Sequence, residues 1–426
     1  MKSLTSQIFA RALGKEKVEA GELVVVKVDK VMMHDITGPI VLDVIESLKV
    51  DEIRNPSLVY IFLDHYSPPP NIEAANIHGR LRDFANKFKI ENFFEINEGI
   101  CHQVMCEGPV KPGEIIIGAN SHTTTYGALA SFSTGVGSSE AAYAIVSGEL
   151  WFRVPEPFYI ELEGALPNYA SGKDVILHIL SKIGVEGALY KAMEFSGPGL
   201  KSLKVADRLT ISNMSVEGGA KNAIFPLDDI TIKYFNDLGI NLNLKQLEYL
   251  KPVDPYNPNM RVNLNVIEPM IAKPPSPADA VPVSYAEGIG VDVGFIGSCT
   301  GGRYEDLFIA AKILKGRKLS RGVRLIIIPA SKRVYGEALE NGLIKIFYDA
   351  GAIIGPPSCG PCFGGHLGVV GDNETVITSS NRNFKGRMGS PNASVYLASP
   401  ATVVASTLEG VIADPRKYLG AKEVIV

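Results

Sequence analysis

Cysteine is scarce in this chain, and neither sign of charge dominates. The 426 residues include 5 cysteines, 42 basic and 46 acidic residues, so the formal net charge is −4. So few cysteines do not make a disulfide scaffold, and the near balance of charge argues against a broad basic surface for nucleic acid. No apolar run approaches the roughly 20 residues of a membrane-spanning helix. Arg11, Lys15 and Lys17 interrupt the first residues, so no signal peptide is expected. We therefore predict a soluble cytoplasmic protein that binds neither nucleic acid nor membrane.

Short apolar runs recur along the chain, and a helical pattern follows most of them. Runs rich in valine and isoleucine are typical of parallel strands that helices cover on both faces. The sequence therefore predicts an α/β protein with more than one sheet. The predicted strands are 58–63, 115–117, 159–162, 291–296, 325–328, 352–354, 375–378 and 395–398, and the predicted helices are 72–89, 138–149, 173–183, 305–314 and 402–408.

Two proline-containing interruptions divide the chain. The segment VPEPF ends one region near residue 157, and prolines cluster again from 252 to 282, as expected of an extended connector. We predict three α/β domains, at 1–157, 158–282 and 283–426, with the proline-rich connector at the end of the second.

Polar or thiol residues follow five of the predicted strands at the point where each strand ends. Because ligands of parallel sheets bind outside the carboxyl ends of the strands, these sets predict one shared site. They are Asp64-His65, Asn120-Ser121-His122, the loop of Cys299, the loop of Cys359 and Cys362, and Asn381-Arg382-Asn383.

The cysteines of these loops support three alternatives. Cys359-Gly-Pro-Cys362 is also the redox pair of thioredoxin-type proteins. A structural zinc site needs four ligands, which His366 would have to complete. Cys299, Cys359 and Cys362 could instead hold an iron–sulfur cluster, which normally has four thiolates, so that one iron stays open for substrate. The residues alone leave these alternatives open.

Histidines and carboxylates offer acid–base chemistry near the same strand ends. Asp64 precedes His65, and a carboxylate can keep an imidazole protonated for general-acid work, although such a pair also occurs in plain turns. Glu217 offers a further carboxylate, which alone would be interpreted as a solvated surface residue. His78 and His178 lie within helical patterns and are predicted to be structural.

Two arginines follow the strand predicted at 375–378. Arg382 and Arg387 are five residues apart on a glycine-containing loop, where they could clamp carboxylates or phosphates. A solvated basic loop explains the same pattern. No nucleotide-binding fingerprint is complete, so no nucleotide is assigned.

Nine motifs, taken in order, resemble those of the aconitase superfamily, over roughly residues 5 to 415. They are HDITG (34–38), DH (64–65), GICHQV (99–104), NSHTTTYGAL (120–129), STGVGSSE (133–140), SNMSVEGGAK (212–221), GSCT (297–300), CGPC (359–362) and SNRNFKGRMGSP (380–391). The resemblance implies a three-domain α/β/α aconitase-like core around one [4Fe–4S] cluster. It also implies that Cys299, Cys359 and Cys362 are the protein ligands, with one open iron site.

The resemblance further implies roles for the polar residues around such a cluster. The catalytic residues would be Asp64 with His65, His102 paired with residue 120, and His122 with Glu217. His34, Ser121, Arg382 and Arg387 would bind the substrate, and Asn213 and Asn381 would lie beside the cluster. His34 stands where aconitase has a glutamine that contacts substrate.

The reaction implied is a reversible dehydration and rehydration that moves a hydroxyl between adjacent carbons of a di- or tricarboxylic acid. We expect the large catalytic subunit of an enzyme that isomerises 2- and 3-isopropylmalate in leucine biosynthesis. The alternative is a homoaconitase acting on homocitrate and homoisocitrate in lysine-type biosynthesis. A thiol–disulfide oxidoreductase and an RNA-binding iron–sulfur regulator rank below both.

A partner is also expected. Single-chain aconitases carry a fourth, swivelling domain with a Ser-Arg motif, and this chain stops at Val426 without it. The resemblance therefore implies a separate small subunit of that domain type, in a heterodimer or heterotetramer, without which the chain turns over little.

Two positions depart from the family pattern. Asn120 stands where the family usually has aspartate, and asparagine accepts a hydrogen bond but cannot stabilise an imidazolium by charge. We therefore predict that His102 is less readily protonated than in relatives. Gly301 stands where asparagine is common, which removes a possible hydrogen bond near the cluster.

Overall fold

The computed structural model describes residues 3–252 and 257–419. In these residues, backbone hydrogen bonds form four sheets, and parallel pairing prevails in the three larger ones. The predicted α/β class is thus confirmed. Residues 253–256 of the predicted connector and the outer ends of the first and third predicted domains lie outside the described residues. Within the described part of the chain, no helix is long and apolar enough to cross a bilayer.

The N-terminal third carries a five-stranded parallel sheet of order β4-β3-β2-β5-β6 and a separate antiparallel pair, β1 with β7. The strands are β1 Leu23–Lys27, β2 Lys30–His34, β3 Val59–Phe62, β4 Phe93–Phe94, β5 Ile115–Gly118, β6 Phe132–Gly135 and β7 Glu149–Arg153. The helices are α1 Leu4–Ala12, α2 Gly38–Ser47, α3 Ile72–Phe88, α4 Cys101–Cys106 and α5 Ser138–Ser147. His34 pairs in register with Phe62, so β2 and β3 end at one edge.

The middle of the chain forms a four-stranded parallel sheet of order β10-β9-β8-β11. Its strands are β8 Pro157–Glu163, β9 Ala192–Ser196, β10 Asn222–Ile224 and β11 Met260–Asn263, and its helices are α6 Gly172–Ile183, α7 Val205–Met214 and α8 Asp229–Asp237. Helix α7 packs on the 3-10 segment Ser121–Leu129, which follows β5. This contact brings the middle region onto the site edge of the first sheet.

The C-terminal third contributes a seven-stranded sheet of order β13-β12-β18-β17-β14-β15-β16. Its strands are β12 Met270–Ala272, β13 Ala280–Pro282, β14 Val293–Ile296, β15 Arg324–Ile327, β16 Ile353–Ile354, β17 Thr375–Thr378 and β18 Ser394–Ala398. Its helices are α9 Tyr304–Leu314, α10 Lys332–Glu340, α11 Leu343–Ala350 and α12 Pro400–Glu409. Strands β14 and β17 are adjacent and parallel, so the loops that follow them meet.

The proline-rich stretch 252–282 is more than an extended connector, because β11, β12 and β13 lie within it. Strand β13 is at the sheet edge, where the missing N–H of Pro282 is tolerated. Strands β12 and β13 belong to the sheet of the C-terminal third. The division at 157 and 282 stays a prediction.

Candidate active site

Asp64 connects three parts of the site from the end of β3. Its Oδ1 lies 2.7 Å from Nδ1 of His65, its Oδ2 accepts a hydrogen bond from the Cys101 N–H at 2.7 Å, and its carbonyl accepts one from the Cys359 N–H at 3.0 Å. Burial raises the pKa of Asp64, but the charge and hydrogen bond of His65 outweigh it and the pKa falls below its usual range. Burial lowers the pKa of His65, yet Asp64 outweighs that effect and the pKa rises. His65 is thus suited to carry a proton.

Asp35 is a site residue that the sequence reasoning missed. Its carboxylate is fully buried and accepts hydrogen bonds from the N–H groups of His65 and Tyr66, at 3.1 and 2.8 Å. Nε2 of His78 lies 3.0 Å from the same carboxylate. His78, predicted to be only structural, therefore contacts the residue that holds the backbone of His65.

Asn120 lies between three histidines at the end of β5. Its Oδ1 accepts a hydrogen bond from the N–H of His122 at 2.8 Å, which fixes the orientation of the amide, and Nε2 of His102 lies 3.0 Å from the same oxygen. Nδ2 of Asn120 therefore faces Nε2 of His34, at 3.0 Å. The N–H of Ile36 points at Nδ1 of His34, at 3.2 Å. A neutral imidazole has one acceptor nitrogen, so His34 can accept a hydrogen bond from Ile36 or from Asn120 but not from both at once.

His34, His102 and His122, here called the three neutral histidines, are buried. Burial lowers the pKa of His34 and of His102 to about 3, aided by the neighbouring His65 and His122, respectively. Burial, aided by Arg382, lowers the pKa of His122 to about 4. These imidazoles are therefore uncharged at neutral pH.

Glu217 joins two of the predicted site residues through one oxygen. Its Oε1 lies 2.8 Å from Nε2 of His122 and accepts a hydrogen bond from Nε of Arg382 at 2.7 Å. Nη2 of Arg382 donates to the hydroxyl of Ser121 at 2.9 Å. Burial raises the pKa of Glu217, but His122 and then Arg382 outweigh it, so the pKa falls. The carboxylate therefore holds both His122 and Arg382.

The loop of Cys299 meets the loop of Cys359 and Cys362. Nδ2 of Asn213 and Nδ2 of Asn381 donate to Sγ of Cys299, at 3.1 and 3.3 Å. Sγ of Cys362 lies 3.5 Å from the hydroxyl of Ser298 and 3.7 Å from Nη2 of Arg387. N–H donors aimed at sulfur suit a thiolate, and such contacts tune thiolate ligands of metal centres.

Three further residues near the thiols were not anticipated. Ser298 has φ of 66°, a left-handed conformation that costs a serine roughly 1–2 kcal/mol; it places the hydroxyl between Cys299 and Cys362. The buried guanidinium of Arg303 donates to the carbonyl of Cys299. The ammonium of Lys173 contacts the loops after β14 and β17.

The zinc and thioredoxin alternatives find little support in this geometry. Among the described residues, the one set of three or more potential metal ligands whose donor atoms all lie within 4.8 Å of one another is His34, Asp35, Asp64 and His65. The sulfur atoms of the three cysteines are therefore not as close together as a single zinc ion requires. Nε2 of His366 lies 2.8 Å from the carbonyl of Pro68. Burial raises the pKa of Cys359 well above its usual value, whereas a redox pair needs a first thiol with a lowered pKa.

The family described as Aconitase family (aconitate hydratase) matches residues 6–410. The chain belongs to the aconitase family. It is 45% identical over 424 residues to the 3-isopropylmalate dehydratase large subunit 1 of Methanopyrus kandleri, covering 98% of this chain and 100% of that protein. It is 45% identical to the large subunit of Caldicellulosiruptor saccharolyticus, over 99% of this chain and 98% of that one, and 43% identical to large subunit 2 of Archaeoglobus fulgidus, over 98% and 100%.

A solved structure also matches this aconitase-family chain. The holo-form of Thermococcus kodakaraensis aconitase X aligns over 89% of each chain, with 11% identity and a TM-score of 0.48.

The departure at residue 301 has a steric explanation. A Cβ at Gly301 would lie 2.1 Å from Oγ and 2.3 Å from Cβ of Ser379. The hydroxyl of Ser379 accepts a hydrogen bond from the Gly297 N–H at 3.1 Å, so Ser379 occupies the space that a side chain at 301 would need. Glycine at 301 and serine at 379 are thus a matched pair in this aconitase-family chain.

Proposed function

We propose that this chain is the large, catalytic subunit of a hydro-lyase that interconverts 2-isopropylmalate and 3-isopropylmalate by dehydration and rehydration, as in leucine biosynthesis. The full-length similarity to proteins named 3-isopropylmalate dehydratase large subunit supports this choice. The observation that carries it is the Cys299 thiol, which accepts two amide N–H bonds, one of them from Asn381, the residue directly before Arg382 of the Glu217–Arg382 pair. A sulfur poised as a ligand next to a group that binds carboxylates suits this reaction.

The cofactor in this proposal is one [4Fe–4S] cluster held by Cys299, Cys359 and Cys362, with one open iron site. The donor set fits, since the three thiols are buried and two of them, Cys299 and Cys362, have N–H donors directed at sulfur. When bound, the cluster supplies Lewis-acid polarisation of the substrate hydroxyl.

His65 is the proposed general acid. Asp64 holds its Nδ1 at 2.7 Å and raises its pKa, so Nε2 is the atom that hands a proton to the leaving hydroxyl, which departs as water. The proton on the adjacent carbon passes to a base, and rehydration runs the same transfers in reverse at the exchanged positions. The three neutral histidines, His34, His102 and His122, then act as hydrogen-bonding groups for water and substrate.

Arg382 and Arg387 are the proposed carboxylate-binding residues. Glu217 and Ser121 hold Arg382 by two of its nitrogens, which leaves its remaining N–H groups for substrate. Nη2 of Arg387 is within 3.7 Å of Sγ of Cys362, so a carboxylate on this arginine would lie beside the cluster. His34 and Ser121 complete the binding residues, and Asn213 and Asn381 support Cys299.

A small subunit is the proposed partner. The relatives that match over nearly their whole length are named large subunits, and we infer that a swivelling domain with a Ser-Arg motif supplies the base and contacts the variable arm of the substrate. A cytoplasmic location is part of the proposal, in keeping with five free cysteines.

Anaerobic reconstitution with iron, sulfide and a small subunit tests the function. We expect turnover of isopropylmalate by the complex, little by the chain alone, and loss of about one cluster equivalent of iron in Cys359→Ser. Cys106→Ser is the matched control, because Cys106 is equally buried but lies on α4, and it should keep its iron. If the complex turns over homocitrate and not isopropylmalate, the enzyme is a homoaconitase instead. Wild-type protein that binds no iron after reconstitution would refute the proposal.

A further inference from the structure

Lys173 has its side chain buried at the start of α6, with 1% of the residue exposed. Its ammonium nitrogen lies 3.0 Å from Oγ1 of Thr300, 2.7 Å from the carbonyl of Ser379 and 2.7 Å from the carbonyl of Ser380. An ammonium has three N–H donors, so these three acceptors satisfy it fully. Sequence separations of 127 to 207 residues lie between the partners.

The partners of Lys173 belong to the segments that surround Cys299. Thr300 directly follows Cys299, and Ser380 directly precedes Asn381, whose Nδ2 donates to Sγ of Cys299 at 3.3 Å. The ammonium also lies 3.3 Å from the sulfur of Met214, the residue after Asn213. One cation therefore holds the loops after β14 and β17 and the end of α7 in register.

Among the described residues, no carboxylate contacts this ammonium, although Asp306 and Asp174 are near enough to favour its charged form. In the part of the chain that the structure describes, Lys173 forms no ion pair; the carboxylate of neighbouring Asp174 accepts hydrogen bonds from Ser171 and Met270 instead. Asp306 accepts one from the Arg303 N–H. An isolated buried cation is strongly unfavourable unless an opposite charge compensates it. All three acceptors of Lys173 are neutral, and burial lowers its pKa to about 7, so the charged form needs further negative charge nearby to be stable.

We propose that Lys173 is a positioning residue whose positive charge balances the negative charge of the iron–sulfur cluster. The inference rests on the proposed function, since it requires the cluster on Cys299, Cys359 and Cys362. Thiolate ligands make such a cluster anionic, and its potential depends on nearby charge. Lys173 thus holds the cysteine and asparagine loops in place and favours the more negative, reduced state of the cluster.

The test compares Lys173→Gln, which removes the charge and keeps N–H donors, with Lys173→Met, which removes both. Lys182→Gln is the matched control, because Lys182 lies on the same helix with an exposed side chain and undergoes the same change of charge. Each protein is prepared with and without cluster. The cluster potential is measured by a redox titration followed by electron paramagnetic resonance, and the melting temperature is measured in both forms.

We expect Lys173→Gln to make one-electron reduction of the cluster at least about tenfold less favourable, a fall of about 59 mV in potential, whereas Lys182→Gln leaves it unchanged. The melting temperature should fall more in the cluster-loaded than in the cluster-free form, because only the loaded form loses a charge pair. Lys173→Met should show the same potential shift and a larger loss of melting temperature.

Other results would overturn the inference in distinguishable ways. Equal losses of melting temperature in both forms, with an unchanged potential, would show that Lys173 is merely structural. Failure of both variants to fold without cluster would lead to the same conclusion. A wild-type chain that binds no iron would instead refute the proposed function, and the inference with it.

Discussion

Replacing Asn120 with aspartate puts one carboxylate among the three neutral histidines. The new oxygens would lie about where the amide atoms do, 3.0 Å from Nε2 of His34 and 3.0 Å from Nε2 of His102. The introduced carboxylate could accept a hydrogen bond from His34 as well, which frees Nδ1 of His34 to accept from Ile36. Asn120→Asp therefore removes the conflict between two donors and adds a charge that favours both imidazolium forms.

The size of the effect follows from the distances. Two charges about 4 Å apart interact by about 4 kcal/mol at the effective dielectric constant of partly buried sites. Since the charge is shared between two histidines, we expect roughly 2–4 kcal/mol for His102, or about 30- to 900-fold in its protonation equilibrium. The pKa of His102, about 3 with asparagine present, should therefore rise toward the range in which activity can be assayed.

The assay is the pH–rate profile of the complex with intact cluster across about pH 5 to 8. Asn120→Asp should move the acidic inflection to higher pH, while Asn241→Asp, an exposed control on another loop, leaves it in place. If the profile of Asn120→Asp coincides with that of the wild type, His102 is not governed by residue 120 and the reasoning fails.

Three further predictions follow from contacts of the described residues. The three neutral histidines have pKa values lowered from 6.5 to about 3 or 4, so below pH 6.5 the unfolded chain binds more protons than the folded chain. The free energy of unfolding of the cluster-free chain should therefore fall as the pH drops from 6.5 toward 4. Chemical denaturation measures it, and a free energy of unfolding that does not change with pH would contradict the prediction. Gly301→Asn should lower the free energy of unfolding by about 1–3 kcal/mol through overpacking against Ser379, and adding Ser379→Gly should recover part of this loss. If the effects of the two substitutions simply add in the double variant, Gly301 and Ser379 are not a matched pair. His78→Leu leaves a buried carboxylate oxygen of Asp35 without its partner and should lower kcat more than it raises KM. His78→Gln should restore much of kcat, and the control His178→Gln should leave kcat and KM unchanged. If the Leu and Gln variants at 78 have equal effects, His78 only fills space.

Much of the fold could be predicted because its elements follow local patterns. The predicted helix 72–89 corresponds to Ile72–Phe88 and the predicted strand 375–378 to Thr375–Thr378. Amphipathic spacing and runs of β-branched residues are properties of neighbouring residues, so they can be recognised in the sequence without knowledge of tertiary contacts. Strand β2, Lys30–His34, was not predicted, since its short apolar run is bounded by a lysine and a histidine and contains two methionines, which are not typical strand formers.

The candidate site was predictable only in part. Asp64 was selected by its place at a strand end and by family resemblance, whereas Glu217 was selected by family resemblance alone, and each contacts the histidine expected of it. Asp35 was missed although it directly follows His34, because an aspartate beside a histidine does not reveal which backbone N–H groups its carboxylate accepts from. Lys173 has no sequence signature that distinguishes a buried from a snorkelling lysine.

Residue order and chemistry are enough to predict the kinds of elements, the residues that follow each strand, the three cysteines and membership of the aconitase family, because all of these are local properties. Which of these residues meet depends on the folded chain, since Lys173 with Ser380 and Arg382 with Ser121 are joined across more than 200 residues. The folded chain also decides which groups carry charge. Burial opposes ionisation, and neighbouring charges either counteract or reinforce that effect. His65 and His102 therefore differ in protonation, although both are buried histidines beside a polar partner.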